Sequence, residues 1–500
     1  MYIGVDCGTQ STKIVVVDDS DGRIVGEASR PHRLDQGDNG RREQRVEEWT
    51  EAFRGALGEA LDDAGVSAGA VRAIGISGQQ HGMVALDADG VPVHPAKLWN
   101  DTETAEWNAR LIEAMGGEQG CIDRLGLVLQ TGYTASKIAW LRETHPEAYR
   151  RIETLLLPHD YLNFWLTGER VAECGDASGT GYFDTRTRQW RRDVFELIAP
   201  ELDADRVLPR LIESREAVGK VRPALAAELG LGDDVIVASG GGDNMMGAIG
   251  TGNIEAGMVT ISLGTSGTIA VHSPEAVVPD NAMVANFCAS HGGWLPLICT
   301  MNVTSATTTL RELVGLDIEG FNRAVEKAEP GAGGITLLPF FSGERVPALP
   351  QAHASLSGMT SFNTNPANLC RAAVESATFG LRYGLELLGF LAGQATQVRL
   401  VGGGAKSAVW RQIVADILDL EVVCPQVTEA AAFGGAIQAR WCDRRESDAS
   451  LSELCRDWVR LDDSTLTRPH PETVAKYHGI YRRYREALQK EHGIALPRGH

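Results

Sequence analysis

IGVDCGTQSTKIVVV, at residues 3–17, places a polar, glycine-containing turn between two short apolar runs. A third apolar pair, Ile24 and Val25, follows a second polar turn. Short β-type runs joined by tight polar turns are typical of an antiparallel meander. The opening of the chain therefore predicts neighbouring antiparallel strands.

The same strand, turn and strand pattern returns at residues 258–271. An apolar run at 259–263 enters the turn 264–267 (GTSG) and is followed by a second apolar run. Two halves with the same opening predict a duplicated fold, an inference that rests on two short matches.

Helical and strand-like patterns alternate along the rest of the chain. Residues 47–64 carry large apolar side chains at helical spacing, which predicts an amphipathic helix. In the second half, helices are predicted at 365–390 and 407–420, on either side of a strand at 398–401. Strands interspersed with helices predict the α/β class.

Size and charge exclude several classes of protein. A chain of 500 residues with 43% hydrophobic composition can bury a large core, and its length suggests two or three domains. The net charge of -19 would repel a nucleic-acid backbone, and no block of Lys or Arg offsets it. The sequence therefore predicts no nucleic-acid partner.

Cysteine usage and hydropathy predict a location. Nine cysteines are scattered without a CxxC pair or a repeated spacing, as expected for reduced thiols. The chain enters a strand-like run at its first residues, and no stretch of 18 apolar residues occurs. These features predict a cytoplasmic protein with no membrane partner.

The first candidate for chemistry is the turn at residues 6–13 (DCGTQSTK). Gly8 allows close approach of a ligand, and Lys13 can offset the charge of a phosphate. Asp6 would repel that phosphate unless a divalent cation or its water lies between them, so Asp6 is a candidate magnesium-side residue. The alternative is an ordinary hairpin whose polar residues cap their own backbone. The second Gly264-Thr265 turn favours the functional interpretation, because two such turns could clamp one nucleotide.

The second candidate is the glycine turn at residues 240–244 (GGGDN), which follows a strand-like run. A carboxylate at such a position can accept a proton from a substrate hydroxyl, and Asn244 can donate and accept beside it. We therefore predict Asp243 as a general base. The alternative is that Asp243 is the N-cap of the helix that follows.

The third candidate is the turn at residues 402–407 (GGGAKS), between a strand and an amphipathic helix. Backbone amides at a helix N-terminus attract phosphate. The pattern is neither GxxxxGK[ST] nor GxGxxG, which disfavours P-loop NTPases and Rossmann dehydrogenases. The alternative is a packing turn that needs glycine. The turns at 6–13, 264–267 and 402–407 together contribute these candidate nucleotide-binding residues: Thr9, Thr12, Lys13, Gly264, Thr265, Gly402, Gly403, Gly404 and Ser407.

The fourth candidate combines residues 79–82 (QQHG) with residues 98–101 (LWND). Polar groups beside an indole suit a polyhydroxylated ligand, since hydroxyls need directional partners and the C–H face packs on an aromatic ring. A single His is more often structural, and Lys137 is predicted to be a helix-surface lysine. The candidate sugar-binding residues are Gln80, His81, Trp99, Asp101, Asp243 and Asn244.

In this order the segments resemble the FGGY carbohydrate kinases, from Met1 to about Leu488. Residues 402–416 (GGGAKSAVWRQIVAD) match the C-terminal signature of the family, and an earlier signature is present around residues 134–143, with a departure at Thr144. The match is best to members that phosphorylate D-xylulose, some of which carry Met in place of Gln80. It rests on 3–6 (IGVD), 80–82 (QHG), 98–101 (LWND), 241–244 (GGDN), 262–267 (SLGTSG) and 342–345 (SGER).

The resemblance implies two actin-like (ribonuclease H-like) α/β domains. Residues 1–248 would form the sugar-binding side and residues 249–500 the nucleotide-binding side, with the active site in the cleft between them. It implies ATP and Mg²⁺ as cofactors, Asp243 as the catalytic base, and Asp6 near the metal. It implies D-xylulose as substrate and D-xylulose 5-phosphate as product.

Two groups of alternatives stay open. Another FGGY specificity, for ribulose, L-xylulose, gluconate or glycerol, shares the phosphate machinery. A non-catalytic actin-like ATP-binding module would need no carboxylate placed for a sugar hydroxyl, and Asp243 argues against it. The sequence also leaves open the oligomeric state, with a homodimer among the options, and the role of residues 291–310.

Overall fold

The computed structural model describes residues 1–279, 281–389, 394–446 and 449–495. Their packing defines two units. One unit comprises Met1–Glu255, Ser273–Leu295 and Glu429–Arg460. The other comprises Ala256–His272, Pro296–Thr428 and the chain from Leu461 onward.

Strands and helices alternate in both units. The strands are β1 (Tyr2–Cys7), β2 (Ser11–Val17), β3 (Ile24–Pro31), β4 (Asp35–Gln36), β5 (Arg42–Gln44), β6 (Ala73–Gly78), β7 (Val84–Leu86), β8 (Ala96–Lys97), β9 (Thr154–Leu156), β10 (Val171–Glu173), β11 (Phe183–Asp184), β12 (Gln189–Trp190), β13 (Arg210–Ile212), β14 (Ala217–Lys220), β15 (Ile236–Ala238), β16 (Gly241–Gly242), β17 (Met258–Leu263), β18 (Gly267–Val271), β19 (Ala285–Cys288), β20 (Trp294–Thr300), β21 (Thr336–Leu338), β22 (Ser355–Ser357), β23 (Gln397–Val401), β24 (Glu421–Pro425) and β25 (Leu461–Thr467).

The α-helices are α1 (Val46–Ala64), α2 (Ala105–Ala114), α3 (Gly117–Leu125), α4 (Thr134–Thr144), α5 (Pro146–Arg150), α6 (Pro158–Thr167), α7 (Cys174–Ala177), α8 (Arg192–Ile198), α9 (Ala204–Val207), α10 (Pro223–Leu229), α11 (Asp243–Thr251), α12 (Thr304–Leu313), α13 (Ile318–Lys327), α14 (Pro366–Leu387), α15 (Ala408–Leu418), α16 (Ala430–Asp443), α17 (Leu451–Trp458) and α18 (Pro471–His492). Part of the predicted helix at 365–390 thus forms α14, and residue 390 lies outside the described residues.

The main sheet of the first unit has the strand order β14-β15-β6-β1-β2-β3. Strands β1, β2 and β3 are antiparallel neighbours, which confirms the predicted meander. Strands β1, β6 and β15 run parallel. Parallel neighbours require crossover connections, and the chain between β1 and β6 supplies one through α1.

The second unit repeats this arrangement with the order β20-β18-β17-β23-β24-β25. Strands β17 and β18 form the antiparallel hairpin, and β17, β23 and β24 run parallel. The two sheets share strand order and direction, so the predicted duplication is confirmed.

Helix α1 covers the first sheet with the face that the sequence predicted. Its apolar residues at helical spacing are 0 to 6% exposed, and they join the core formed by the β1, β2 and β6 side chains. Each such side chain contributes about 1.5 to 3 kcal/mol through burial. The buried residues of this stripe are Trp49, Phe53, Leu57 and Leu61.

The other face of the first sheet is covered by α16, which is distant in sequence. Helix α16 packs on β1, β6 and α11. A Cβ on Gly4 of β1 would lie 1.8 Å from the Ala432 carbonyl oxygen, so glycine is required for this approach. The predicted domain limits of 1–248 and 249–500 stay a prediction. Those limits place residues 429–460 in the second domain, whereas these residues pack with the first unit.

Among the described residues, no helix combines the length and the apolar character needed to cross a membrane. All nine cysteines, each of which the structure describes, are free thiols. The cytoplasmic location and the homodimer stay predictions.

Candidate active site

The carboxyl ends of parallel strands in the first unit bring Asp6 and Asp243 to one edge of the sheet. Asp6 lies opposite Ser77 in the β1–β6 register, and β16 pairs with the end of β6 just before Asp243. The Ser77 hydroxyl donates to Asp6 Oδ1 at 2.8 Å. Ligands of open α/β sheets bind beyond such strand ends.

Asp243 is the first residue of α11, and Gly242 is its N-cap. The alternative assignment of Asp243 as an N-cap is therefore wrong. Its Oδ1 accepts from the Asn244 backbone N–H at 2.8 Å and from Asn244 Nδ2 at 3.0 Å. Asn244 Nδ2 also donates to Gln80 Oε1 at 2.8 Å, so the structure brings three predicted sugar-binding residues together.

The electrostatics of this edge favour a proton acceptor. Burial, followed by the nearby charge of Asp6, raises the pKa of Asp243 to about 7. Burial also raises the pKa of Asp6, and its effect exceeds the opposing effects of Ser77 and Lys13. A carboxylate with a pKa near neutrality is a stronger base than an ordinary Asp.

A buried pair behind Gln80 is absent from the sequence predictions. His159 Nδ1 lies 2.6 Å from Asp176 Oδ2, and both side chains are fully buried. Burial raises the pKa of Asp176, while its interaction with Gln80 lowers it. The two residues come from α6 and α7, which only the fold brings behind the site, so no local pattern could indicate them.

His81 lies in a left-handed backbone conformation, with φ of 66°. Its ring centroid is 4.6 Å from that of Tyr133 and 5.6 Å from that of Phe287. The Thr134 hydroxyl donates to the His81 carbonyl at 3.1 Å. The ring is half-buried and packed, and its sugar-binding role stays a prediction.

Trp99 is 41% exposed. Its indole Nε1 donates to Thr9 Oγ1 at 2.9 Å. The residue that was predicted for the sugar thus contacts the turn that was predicted for the nucleotide.

Asp101 binds the buried Lys97 and has no exposed surface. It is fully buried, and its Oδ2 accepts from Lys97 Nζ at 2.9 Å and from the Arg42 backbone N–H at 2.8 Å. Lys97 also binds Glu43 at 3.0 Å and Glu103 at 2.6 Å. The structure gives no support to Asp101 as a sugar contact.

The carboxylates around Lys97 also resemble a metal site by distance. In the described part of the chain, Glu43, Asp101 and Glu103 form the group whose ligand atoms all lie within 4.8 Å of one another. The Lys97 ammonium lies within 3.0 Å of all three carboxylates and offsets part of their charge. Burial would lower the pKa of Lys97, but its bonds to Glu103 and Asp101 raise it overall.

The prediction that Lys137 is a helix-surface lysine is wrong. Its side chain is fully buried in α4, and Nζ donates to the carbonyl oxygens of Gly132 and Tyr133. Burial lowers the pKa of Lys137 to about 7. The residue holds the turn before α4.

The other residues of the first turn differ in their exposure. Lys13 is half-buried and forms an ion pair of 2.7 Å with Glu429. Thr12 is fully buried, and its hydroxyl lies 2.8 Å from His32 Nε2. Thr12 therefore presents no surface to a nucleotide, and the structure gives its predicted role no support.

In the second unit, the turns after β17 and β23 lie side by side because the strands are parallel neighbours, with Ser262 opposite Val401. Gly402 has φ of 90°, and a Cβ there would lie 2.7 Å from the Leu263 carbonyl oxygen. Gly403 is exposed, and a Cβ there would meet nothing within 4 Å. The two turns form an open, neutral backbone surface that suits phosphate oxygens.

The start of α12 supports the turn after β17. The Thr304 N–H donates to the Gly264 carbonyl at 2.9 Å, and the Ser305 hydroxyl donates to the Thr265 carbonyl at 3.0 Å. Buried Glu344 holds the preceding segment by accepting from the Met301 N–H at 2.7 Å. Part of the segment 291–310, whose role the sequence left open, thus supports the predicted phosphate turn.

Ser407 is the N-cap of α15. Its hydroxyl accepts from the Trp410 N–H at 3.4 Å and donates to Asn322 Oδ1 at 2.8 Å. These bonds occupy the hydroxyl, so its contact with a nucleotide stays a prediction.

Acidic residues thus lie at strand ends of the first unit, and glycine turns follow strands of the second. The model of the N-terminal domain of the FGGY family of carbohydrate kinases matches residues 1–250, and that of the C-terminal domain matches residues 259–442. The chain belongs to the FGGY family of carbohydrate kinases and is an ATP-dependent sugar kinase. This confirms the predicted family and α/β fold, and it sets aside a non-catalytic module.

Two curated relatives and one solved structure that match nearly the whole chain are xylulose kinases. The chain is 49% identical to the xylulose kinase of Haemophilus influenzae over 97% of this chain and 98% of that protein. It is 38% identical to the xylulose kinase of Streptomyces coelicolor over 94% and 95%, respectively. The solved xylulose kinase of Bifidobacterium adolescentis matches with a TM-score of 0.84 and 32% identity, over 97% of this chain and 99% of that one.

Proposed function

We propose that this chain transfers the γ-phosphoryl group of ATP to D-xylulose, giving D-xylulose 5-phosphate and ADP. The names of relatives that match almost the entire chain support the choice of sugar. The observation that carries the chemistry is the Asp243 carboxylate, which is held by Asn244 and has a pKa raised to about 7.

Asp243 orients the attacking hydroxyl and takes its proton. Phosphoryl transfer passes through a loose transition state, so the hydroxyl proton leaves late and alignment matters more than strong deprotonation. Asn244 holds Oδ1 of Asp243 through two donors, which leaves the carboxylate in one orientation. Such general-base assistance contributes about 10² to 10⁴-fold in rate.

The residues at this edge fit a magnesium ion. Asp6 and Asp243 are close enough for the charge of one to raise the pKa of the other, and a divalent cation relieves that repulsion. Carboxylate oxygens and waters are the ligands that Mg²⁺ prefers. We assign the metal side to Asp6. Bound Mg²⁺ would neutralise charge on the phosphates of ATP.

The other roles are assigned by position in the predicted turns, where Thr265, Gly402 and Gly403 are exposed and Gly404 and Gln80 are buried. We assign the nucleotide phosphates to Lys13 and to the turns of the second unit, with Thr265, Gly402, Gly403 and Gly404. Gln80, His81, Trp99 and Asn244 are assigned to the sugar.

A substrate panel tests the proposal. ADP release would be measured for the purified protein with D-xylulose, D-ribulose, L-xylulose, gluconate and glycerol, and the product of each reaction would be identified by mass spectrometry. We expect the highest kcat/KM with D-xylulose. The Asp243→Ala variant, prepared in parallel, measures the background from contaminating kinases. A higher kcat/KM with another sugar would replace the proposed substrate while leaving the kinase assignment in place.

A further inference from the structure

The Thr9 hydroxyl lies between two partners of different character. It accepts from Trp99 Nε1 at 2.9 Å and donates to Gln79 Oε1 at 3.0 Å. A hydroxyl has one proton, so donation to Gln79 leaves none for a phosphate oxygen. The hydroxyl therefore connects two protein groups.

The direction of this hydrogen-bond chain is set at its buried end. Trp49 Nε1 donates to Gln44 Oε1 at 3.0 Å, and an indole N–H is a donor only. Gln44 must therefore turn its oxygen to Trp49, and its Nε2 donates to the Thr9 carbonyl at 2.7 Å. Gln79 Nε2 donates to the same Gln44 oxygen at 3.0 Å, so Gln79 must turn its own oxygen to Thr9. Each amide orientation follows from the one before it.

Both ends of this hydrogen-bond chain, Gln44 and Trp99, lie in or next to a small sheet. Strand β5 contains Gln44 and pairs with β8, where Gln44 lies opposite Ala96. Strand β8 ends at Lys97, two residues before Trp99, and the Lys97 ammonium is held by three carboxylates. Gln44 and Gln79 are 2% and 1% exposed, so water does not compete for their bonds.

We infer that Thr9 is a positioning residue: the hydrogen-bond chain Trp99–Thr9–Gln79–Gln44 couples the sugar side to the turn at residues 6–13, so that sugar and nucleotide bind more tightly together than alone. The inference rests on the proposed function, in which Trp99 faces the sugar. A sugar that covers the exposed Trp99 ring restrains the indole on Thr9. The restrained hydroxyl then holds the turn in the conformation that a nucleotide meets.

The size of the coupling follows from the bond that carries it. One hydrogen bond contributes a modest net stabilisation, which corresponds to a change in affinity of about 2- to 10-fold. Linkage is reciprocal, so ADP raises the affinity for sugar by the same factor.

Calorimetric titration with ADP and Mg²⁺, in the absence and presence of saturating D-xylulose, tests the inference. Thr9→Val removes the hydroxyl at nearly constant shape, and Trp99→Phe removes the indole N–H while keeping an aromatic ring. We expect the sugar to strengthen ADP binding about 2- to 10-fold in the parent, and each variant to abolish this effect. The double variant should behave as either single variant does, because both break one chain.

Two variants serve as matched controls. Thr9→Ser keeps a hydroxyl and should retain the coupling. Trp107→Phe removes an exposed indole N–H that donates to Glu143 at 3.0 Å, away from the turn, and should also retain it. Thermal unfolding of every variant identifies those that do not fold, and if Thr9→Val does not fold, Trp99→Phe carries the comparison with the parent.

Several results would overturn the inference. If Thr9→Val weakens ADP binding in the absence of sugar by about tenfold or more, its hydroxyl is a phosphate ligand. Coupling that persists in Trp99→Phe would also overturn the inference. So would the absence of coupling in the parent. If the parent does not phosphorylate D-xylulose, only the proposed substrate fails, and the titrations are made with the sugar that the parent does phosphorylate.

Discussion

The two hairpin turns of this protein occupy equivalent positions in duplicated sheets, yet they carry different chemistry. Asp6 lies opposite Lys13 one pair before the end of its hairpin ladder, and Ser262 lies opposite Thr268 at the same place in the second unit. The first turn thus has a carboxylate where the second has a neutral hydroxyl. One backbone plan supports both, because the side chain at the strand end decides the charge that faces a ligand.

The difference extends to the neighbouring strands. In the first unit, the parallel neighbour β6 leads to Gln80, and β16 leads to Asp243. In the second unit, the parallel neighbour β23 leads to Gly402 and Gly403. Carboxylates attract cations and accept protons, whereas exposed backbone amides attract phosphate. The comparison therefore supports the proposal that the first edge carries proton and metal chemistry and that the glycine turns of the second bind phosphate.

The largest expected effect tests the acidic edge. Asp243→Ala should lower kcat for D-xylulose phosphorylation by about 10² to 10⁴-fold, because the hydroxyl loses its proton acceptor and its orientation. Nucleotide affinity should be unchanged, and thermal unfolding should show a folded protein. Asp233→Ala, at an exposed position before β15, is the matched control. A folded Asp243→Ala variant with parental turnover would remove Asp243 from the mechanism.

The next effect compares the equivalent positions directly. Asp6→Asn should slow phosphoryl transfer by about 10- to 100-fold and raise the Mg²⁺ concentration needed for half-maximal rate, because a ligand-side charge is lost. Ser262→Ala, at the equivalent position, should change neither quantity appreciably. Sugar affinity, measured by calorimetry, should be intact in both. Lost sugar affinity with normal Mg²⁺ dependence in Asp6→Asn would make Asp6 a sugar ligand.

A smaller effect tests the neutral edge. Gly403→Val should weaken ATP binding by about tenfold, a change of about 1.4 kcal/mol, because the new side chain fills the open space above the turn. Its melting temperature should stay near that of the parent. Gly402→Ala should instead lower the melting temperature, since its φ of 90° and the 2.7 Å approach to the Leu263 carbonyl oppose any Cβ. Unchanged ATP affinity in Gly403→Val would show that the turn does not bind phosphate.

The smallest effect is the dependence on pH. Asp243 must be ionised to accept a proton, and its pKa is about 7, so kcat/KM should fall about twofold from pH 8 to pH 7 and more steeply below. Stability changes in the opposite sense. The raised pKa makes ionisation costly in the folded state, and this cost grows as pH rises from the ordinary value of 3.8 to about 7. Asp243→Asn should therefore raise the melting temperature more at pH 8 than at pH 5. A kcat/KM profile that is flat from pH 6 to pH 8 would contradict the assignment.

The sequence by itself determined the repeated scaffold and the strand-end residues. Apolar runs, polar turns and helical spacing depend on residues close together in the chain, so they predicted the meander, α1 and the second hairpin. Asp6 was found because it directly follows a strand-like run, and Asp243 because it lies in the glycine turn that follows another. Parallel pairing then places such residues at a common edge.

Only the tertiary structure decided which polar groups are paired. Asp101 and Lys97 are close in sequence, but Glu43 comes from another strand and completes the group that buries them. Lys137 belongs to helix α4, in which polar as well as apolar side chains are buried. Helical spacing did not reveal that the polar side of this helix is buried. Thr9 meets Trp99 through two loops that are 90 residues apart. Local pattern specifies the face on which a side chain lies, whereas its hydrogen-bond partner depends on which distant segment packs against that face.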